Sequence, residues 1–285
     1  MTPGPGTPGL RVAHVTDTHL AADAADGRSA AGRAGWEAVA AALALDPPDL
    51  VVHTGDLVLG DPDTAADHTH ARRLLAGLPC PVLVVPGNHD VGDHADRPDL
   101  PAAWLGKPVT EARCRRFREV WGGDRWAVRR AGWLLVGLNS LVLGSGLPSE
   151  AAQRDWLAAV LGAWPGPAAV FLHEPLVLDP DAGCAARETW AMPPVDARLR
   201  LLDALGAGPA AVVLVASGHL HRFRDVAAAG RRHVTAPSTA YPIVPQPGMP
   251  QPAGDPRPGY VRYDLRPDGT VAVTPLVLAA EPAAR

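Results

Sequence analysis

Five short apolar runs each stop against a group of Asp, His or Asn, and this recurrence limits the folds open to the chain. Pro81–Asp90 (PVLVVPGNHD) shows it most plainly, with Val and Leu running up to Gly87, Asn88, His89 and Asp90. A run of this length, rich in β-branched residues and flanked by Pro, predicts a parallel strand covered on both faces, its carboxyl end opening into a loop. Leu10–His19, Asp49–Asp56, Ala168–His173 and Ala211–His221 repeat the pattern. Five strand ends therefore carry the hard and borderline donors that suit divalent metals.

At 285 residues and 47% hydrophobic content the chain can bury a real core, as one large α/β domain or two small ones. A net charge of −4 gives no electrostatic footprint for duplex nucleic acid. Small anionic substrates stay open, because bound cations invert a local field. The three cysteines, Cys80, Cys114 and Cys184, fit neither a disulfide framework nor a C-x-x-C metal site and read as reduced thiols. The first ten residues lack the basic and apolar regions of a signal peptide, and no run approaches the ~18 apolar residues of a membrane span. Cytoplasmic residence is the expectation, with no membrane partner.

Taken in order, residues 1–9 are Pro/Gly-rich and read as a flexible tail, and 10–285 as a single domain, since no repeat or sharp composition shift divides it. The first strand ends at Asp17, Thr18 and His19. In an extended segment residues two apart point the same way, so Asp17 and His19 are expected to grip one ion. Ser29–Leu45 and Thr64–Leu78 read as crossover helices, the second with His68 and His70 solvated on a polar face. Val91–Pro108 reads as a loop over the strand ends, Glu111–Trp121 as a helix, and Trp126–Arg130 with Trp133–Asn139 as a hairpin turned at Ala131 and Gly132. Ser149 is expected to cap the next helix. Glu174–Pro194 is a long loop carrying Trp190, followed by a helix over Val195–Leu205 and two antiparallel strands over Phe223–Ala227 and Arg232–Ala236. A closing hairpin pairs Tyr260–Leu265 with Val271–Leu278.

The blocks Asp17-Thr18-His19, Gly55-Asp56, Gly87-Asn88-His89-Asp90, His173 and Gly218-His219-Leu220-His221, in this order and each at a strand end, resemble those of the calcineurin-like metallophosphoesterases. The resemblance implies a four-layer α/β/β/α sandwich with two metal ions at one edge. It assigns Asp17, His19, Asp56 and His221 to the first ion, and Asp56, Asn88, His173 and His219 to the second. A carboxylate shared in this way can bridge ions about 3.5–4 Å apart. Mn, Fe, Zn and Co, divalent or mixed-valence, all suit such donors.

Within the family the chain is most similar to the cyclic-nucleotide phosphodiesterase branch, through Asn139-Ser140 with Gln153, Trp156 and Leu157, the Ala236–Thr239 turn, and Pro258–Tyr260 leading into the last hairpin. It departs from that branch at Glu174, where a second histidine is common, and at Leu59, where another acid often stands. The implied activity is hydrolysis of a phosphodiester, such as a 3',5'-cyclic nucleotide, by a metal-bound hydroxide, with His89 protonating the leaving oxygen. A phosphomonoesterase acting on a nucleotide or biosynthetic intermediate is the alternative, and a non-enzymic scaffold the third reading. The partner is a small phosphorylated substrate, with a homodimer left open.

Other residues carry competing readings. His14 and His53 lie inside strands and read as satisfied core residues. Asp90 is either a partner of His89 behind the ligands or a turn residue, and His94 either a rim or a surface residue. Trp190 either stacks a base or covers a core edge.

Overall fold

The computed structural model describes residues 9–23, 26–95, 106–181, 189–244 and 253–278. Residues 1–8 of the expected N-terminal tail, Cys184, and parts of the Val91–Pro108 and Glu174–Pro194 loops lie outside them.

The first half alternates strand and helix: β1 (Leu10–Val15), α1 (Gly27–Leu45), β2 (Leu50–His53), α2 (Ala65–Leu75), β3 (Val82–Val84), α3 (Asn88–Val91) and α4 (Glu111–Trp121). The hairpin β4 (Trp126–Arg130) and β5 (Trp133–Gly137) follows, then α5 (Pro148–Gly162), β6 (Pro167–Phe171), α6 (Val195–Ala204) and β7 (Ala211–Ser217). Two hairpins close the chain, β8 (Arg224–Ala228) with β9 (Arg231–Thr235), and β10 (Gly259–Leu265) with β11 (Val271–Val277). The strands form a five-stranded sheet ordered β11-β10-β1-β2-β3 and a six-stranded sheet ordered β4-β5-β6-β7-β9-β8. Pairing is parallel through β1-β2-β3 and through β5-β6-β7-β9.

Alternation along the central strands explains why their runs are apolar throughout. Leu10, Val12, Leu50 and Val52 face Trp133, Leu135, Phe171 and Leu214 of the other sheet in one buried cluster. The intervening Ala13, Val15 and Val51 meet Val39 and Leu43 of α1. On the far side Leu134, Val136 and Val170 meet Leu157 and Leu161 of α5 and Leu201 of α6. Both faces of both sheets are covered, which gives the α/β/β/α layering and puts every parallel strand end on polar loops. His14 sits in the central layer, its ring nitrogens on Tyr263 Oη (2.9 Å) and Thr54 Oγ1 (2.8 Å). His53 meets Thr18 Oγ1 at 3.1 Å. Both are satisfied core residues, as expected.

Four local expectations are corrected. β3 is an edge strand, with Val82 and Leu83 half-buried, because the sheet ends there. The indole of Trp126 covers its last carbonyl, at Val84 (2.8 Å). α2 stops at Leu75 rather than Leu78. His68 is buried, not solvated, because α4 lies on it: Trp121 Nε1 donates to His68 Nδ1 at 3.3 Å and Phe117 meets the ring edge-on. Ser149 lies inside the first turn of α5 and caps nothing; Leu147 precedes the helix, and Glu111 of α4 accepts from the Ser149 amide (2.6 Å) and hydroxyl (2.8 Å). A carboxylate from a neighbouring helix thus takes the capping task that sequence spacing assigned to the serine.

Candidate metal centre

The donor residues sit just past the carboxyl ends of β1, β2, β3, β6 and β7, and the backbone there is unusual. Asp17 (φ 52°), His19 (φ 44°), Asp56 (φ 52°), His219 (φ 70°) and His221 (φ 51°) all occupy the left-handed region. The segment carrying Asp17 and His19 is therefore not extended. The pair reaches a common point because successive tight turns bend the chain back, not through strand alternation. Each such non-glycine position costs about 1–2 kcal/mol, and cross-loop bonds hold it. Asp17 N donates to Gly55 O and His19 N to Asp56 O, both at 3.0 Å. Glycine is required where these loops interlock: a Cβ on Gly87 would lie 2.3 Å from Asp56 Oδ1, and one on Gly218 2.0 Å from Thr16 Oγ1.

Two donor sets result. In the first, His19 Nε2 lies 3.0 Å from His221 Nε2 and 3.8 Å from Asp56 Oδ2, and His221 Nε2 lies 3.4 Å from Asp17 Oδ1. In the second, His173 Nε2 lies 3.1 Å from Asn88 Oδ1, 3.1 Å from His219 Nδ1 and 3.5 Å from Asp56 Oδ1. Asp56 turns one oxygen to each set.

The hydrogen bonds behind the rings fix their tautomers. His173 Nδ1 donates to Thr54 O (2.8 Å) and His221 Nδ1 to Tyr241 O (2.6 Å), so both Nε2 lone pairs point into the centre. Asp17 Oδ2 is occupied by the Thr16 hydroxyl and the His219 amide, while Oδ1, facing the centre, is buried without a hydrogen-bond partner. Lone pairs facing lone pairs beside an unpartnered buried carboxylate oxygen would repel in isolation. The arrangement fits a divalent cation in each set.

Electrostatics agree. Burial raises the Asp17 and Asp56 carboxyls, but the surrounding histidines outweigh it: His221, His173 and His19 hold Asp17, and His173, His89 and His19 hold Asp56, below the usual carboxylate range. Burial, with His89 and with His173 respectively, keeps His19 and His219 below the ordinary imidazole value. Against burial, Asp56, Asp17 and Glu174 hold His173 above the ordinary imidazole value, the negative charge on this side of the centre outweighing desolvation.

His89 borders the first set, its ring 4.8 Å from that of His19 and edge-on to it. Its Nδ1 donates to Leu59 O at 2.7 Å, and Nε2 faces the cleft 4.0 Å from Asp56 Oδ2. Asp90 does not touch His89: its carboxylate accepts from the amides of Leu57, Val58 and Gly87 and so ties α3 to the loop of Asp56. His94 is neither rim nor surface; it is buried, with Nε2 2.9 Å from Glu174 Oε2. Trp190 lines the cleft, its ring 5.6 Å from that of His219.

Sequence reading missed two cleft residues. Tyr241 stacks on His19 at 5.2 Å and supplies the carbonyl behind His221, and Arg28, in the first turn of α1, is the one basic chain lining the cleft besides histidines among the described residues. Tyr241 lies just beyond the Ala236–Thr239 turn, whose Ser238 hydroxyl donates to Asp17 O at 2.7 Å, so that turn was the available signal. The cleft encloses about 730 Å³.

Residues 10–223 match the calcineurin-like phosphoesterases, and the chain belongs to that family. It is accordingly a metal-dependent phosphoric ester hydrolase, which sets the scaffold alternative aside. It is 28% identical over 243 residues to the 3',5'-cyclic adenosine monophosphate phosphodiesterase CpdA of Escherichia coli (strain K12), covering 83% of this chain and 78% of that protein. A "Probable cyclic nucleotide phosphodiesterase" of Synechococcus sp. is 26% identical over 267 residues, covering 92% of this chain and 89% of that protein. Among solved structures, a dimetal phosphatase from Danio rerio shares the fold at TM-score 0.58 and 14% identity, covering 95% of this chain and 97% of that one. The yellow lupin purple acid phosphatase PPD1 does so at TM-score 0.62 and 16% identity, covering 97% and 53%.

Proposed function

We propose that this enzyme hydrolyses a phosphodiester, with a 3',5'-cyclic nucleotide as the favoured substrate. The observation that carries the reading is Asp56, whose two oxygens face separate donor sets beneath one cleft, in a chain most of whose length aligns with cyclic-nucleotide phosphodiesterases. Asp17, His19, Asp56 and His221 would hold one cation, and Asp56, Asn88, His173 and His219 the other. Bound there, such cations supply positive charge to a phosphoryl group and acidify water.

The chain's own groups do the rest. His89, which lines the cleft beside the first set, would hand a proton from Nε2 to a leaving oxygen. Trp190 and Tyr241 wall the cleft on opposite donor sets and offer ring faces to a base. Cytoplasmic residence belongs to the same proposal, supported by the free thiols Cys80 and Cys114. Among the described residues no helix is long and apolar enough to cross a membrane.

A phosphomonoester is the second reading. Arg28 favours it, because a monoester brings an extra negative charge to the cleft that a guanidinium would meet. The deciding experiment compares cyclic nucleotides, linear diesters, monoesters and pyrophosphates on one preparation supplied in turn with Mn, Fe and Zn. Highest kcat/KM on a cyclic nucleotide is expected, and a clear preference for a monoester would replace the proposal with its alternative.

A further inference from the structure

Asn88 and His173 belong to one donor set but to different sheets. Asn88 follows β3 of the five-stranded sheet and His173 follows β6 of the six-stranded one, so no ladder of strand hydrogen bonds fixes the 3.1 Å between their donor atoms. The Thr54 carbonyl anchors the His173 ring to the loop after β2, and Asp90 anchors α3 to the same loop. A third tie closes the triangle. Past α3, Gly92 turns at φ 96°, where a Cβ would lie 2.6 Å from the carbonyl oxygens of Lys107 and Pro108. Asp93 then pairs with that segment, through Asp93 N to Lys107 O (2.8 Å) and Val109 N to Asp93 O (2.7 Å). His94 is thereby directed inward, where Nε2 meets Glu174 Oε2 at 2.9 Å, with side-chain exposures of 3% and 1%. The backbone of Glu174 is held by the Ser140 hydroxyl at 3.1 Å.

We propose that the buried His94–Glu174 pair is a strut between the two sheets, which sets the spacing of Asn88 and His173 and thereby selectively strengthens cation binding in the second donor set. A buried polar pair is a weak source of stability, since an apolar pair of similar volume often serves as well. What it adds is direction: both partners must meet at one distance, and each is fixed to a loop bearing a donor. The two are positioning residues. Groups hydrogen-bonded to a ligand change metal affinity by about 10–100-fold, and a pair that sets the spacing of two ligands is expected to act on the same scale. The inference rests on the two-cation reading above.

The test measures Mn(II) binding to the full chain after chelation, by calorimetry and by electron paramagnetic resonance, with thermal melting of the metal-free protein alongside. The parent is expected to take two equivalents and show the coupled signal of a metal pair. His94→Ala and Glu174→Ala should each weaken one equivalent by 10–100-fold, leave the other within twofold, and give a mononuclear signal at limiting Mn(II). The exchange variant, His94→Glu with Glu174→His, should recover the second equivalent. If the alanine variants do not fold, the double variant His94→Leu with Glu174→Met, which fills the space with an apolar pair and removes the hydrogen bond, is read by the same criterion. Two equivalents retained within twofold, or both weakened alike, would overturn the strut and leave the phosphodiesterase reading intact. A parent that takes only one equivalent would overturn the two-cation reading and the strut with it.

Discussion

The ring of His89 is held through Nδ1 on a carbonyl, and its side chain is one-third exposed, so Nε2 is the atom it presents to the cleft. A proton delivered there matters most when the leaving group is a poor one. His89→Ala is expected to lower kcat by ~10²–10⁴-fold on a ribose or alkyl ester, and much less on a 4-nitrophenyl ester, with metal content unchanged. Equal losses on both substrates would instead assign the ring to stabilising charge in the transition state. A second residue-scale expectation concerns His233 in β9, whose pKa burial and the neighbouring Arg231 push down to about 4. Its folded value lies below the unfolded one of about 6.5. Its stability contribution is therefore complete above pH 6.5 and lost as pH falls through 4, on the order of 3 kcal/mol in all. Urea midpoints of parent and His233→Leu at pH 7 and pH 4.5 measure it: the parent should lose more between the two than the variant does.

At the scale of elements, α1 is the piece that brings Arg28 to the cleft, and its packing depends on two missing side chains. A Cβ on Gly35 would lie 2.0 Å from Thr239 O, and one on Gly32 2.5 Å from His19 O. The helix thus rests directly on the backbone of two site loops. Gly35→Ala gains helix propensity of up to about 1 kcal/mol, yet forces α1 off Thr239, and overpacking of this kind costs about 1–3 kcal/mol. Net destabilisation is expected by denaturant melting. Gly27, in the same helix with nothing within 4 Å of its Cβ position, supplies the control. Gly27→Ala should be neutral or stabilising, and equal behaviour of the two variants would mean that α1 moves freely over the loop.

Across the whole molecule, the apolar layers and the donor cluster are separate sources of order. The inter-sheet cluster contains none of the donor residues, whereas five of the seven donors occupy left-handed backbone and Asp17 Oδ1 faces the others without a hydrogen-bond partner. Chelation should accordingly leave far-ultraviolet circular dichroism nearly unchanged while lowering stability by about 3 kcal/mol for each site, about 5 kcal/mol for two, relative to protein with metal at 100-fold over Kd. Melting in chelator and in added Mn(II) checks this. Unfolding on chelation would show that the cluster organises the fold, and an unchanged melting temperature would show that no cation binds the native state.

Pattern along the chain was enough for the parallel strands, because a strand buried on both faces must be apolar along its length, and for the group of residues that converges at their ends, because an abrupt stop on Asp, His or Asn marks where a strand leaves the core. The antiparallel pairing of the last four strands was legible too, with ends shifted by one residue in β8 and β9. Tertiary structure alone decided how donors reach each other. Asp17 and His19 converge through left-handed turns held by Gly55 and Asp56, contacts from another strand that local alternation cannot encode. The edge position of β3, the burial of His68 under α4, the replacement of Ser149 by Glu111 at the start of α5, and the joining of His94 to Glu174 across 80 residues have the same origin. Each depends on which element lies alongside, and periodicity along a chain records only that a face is covered, not by what.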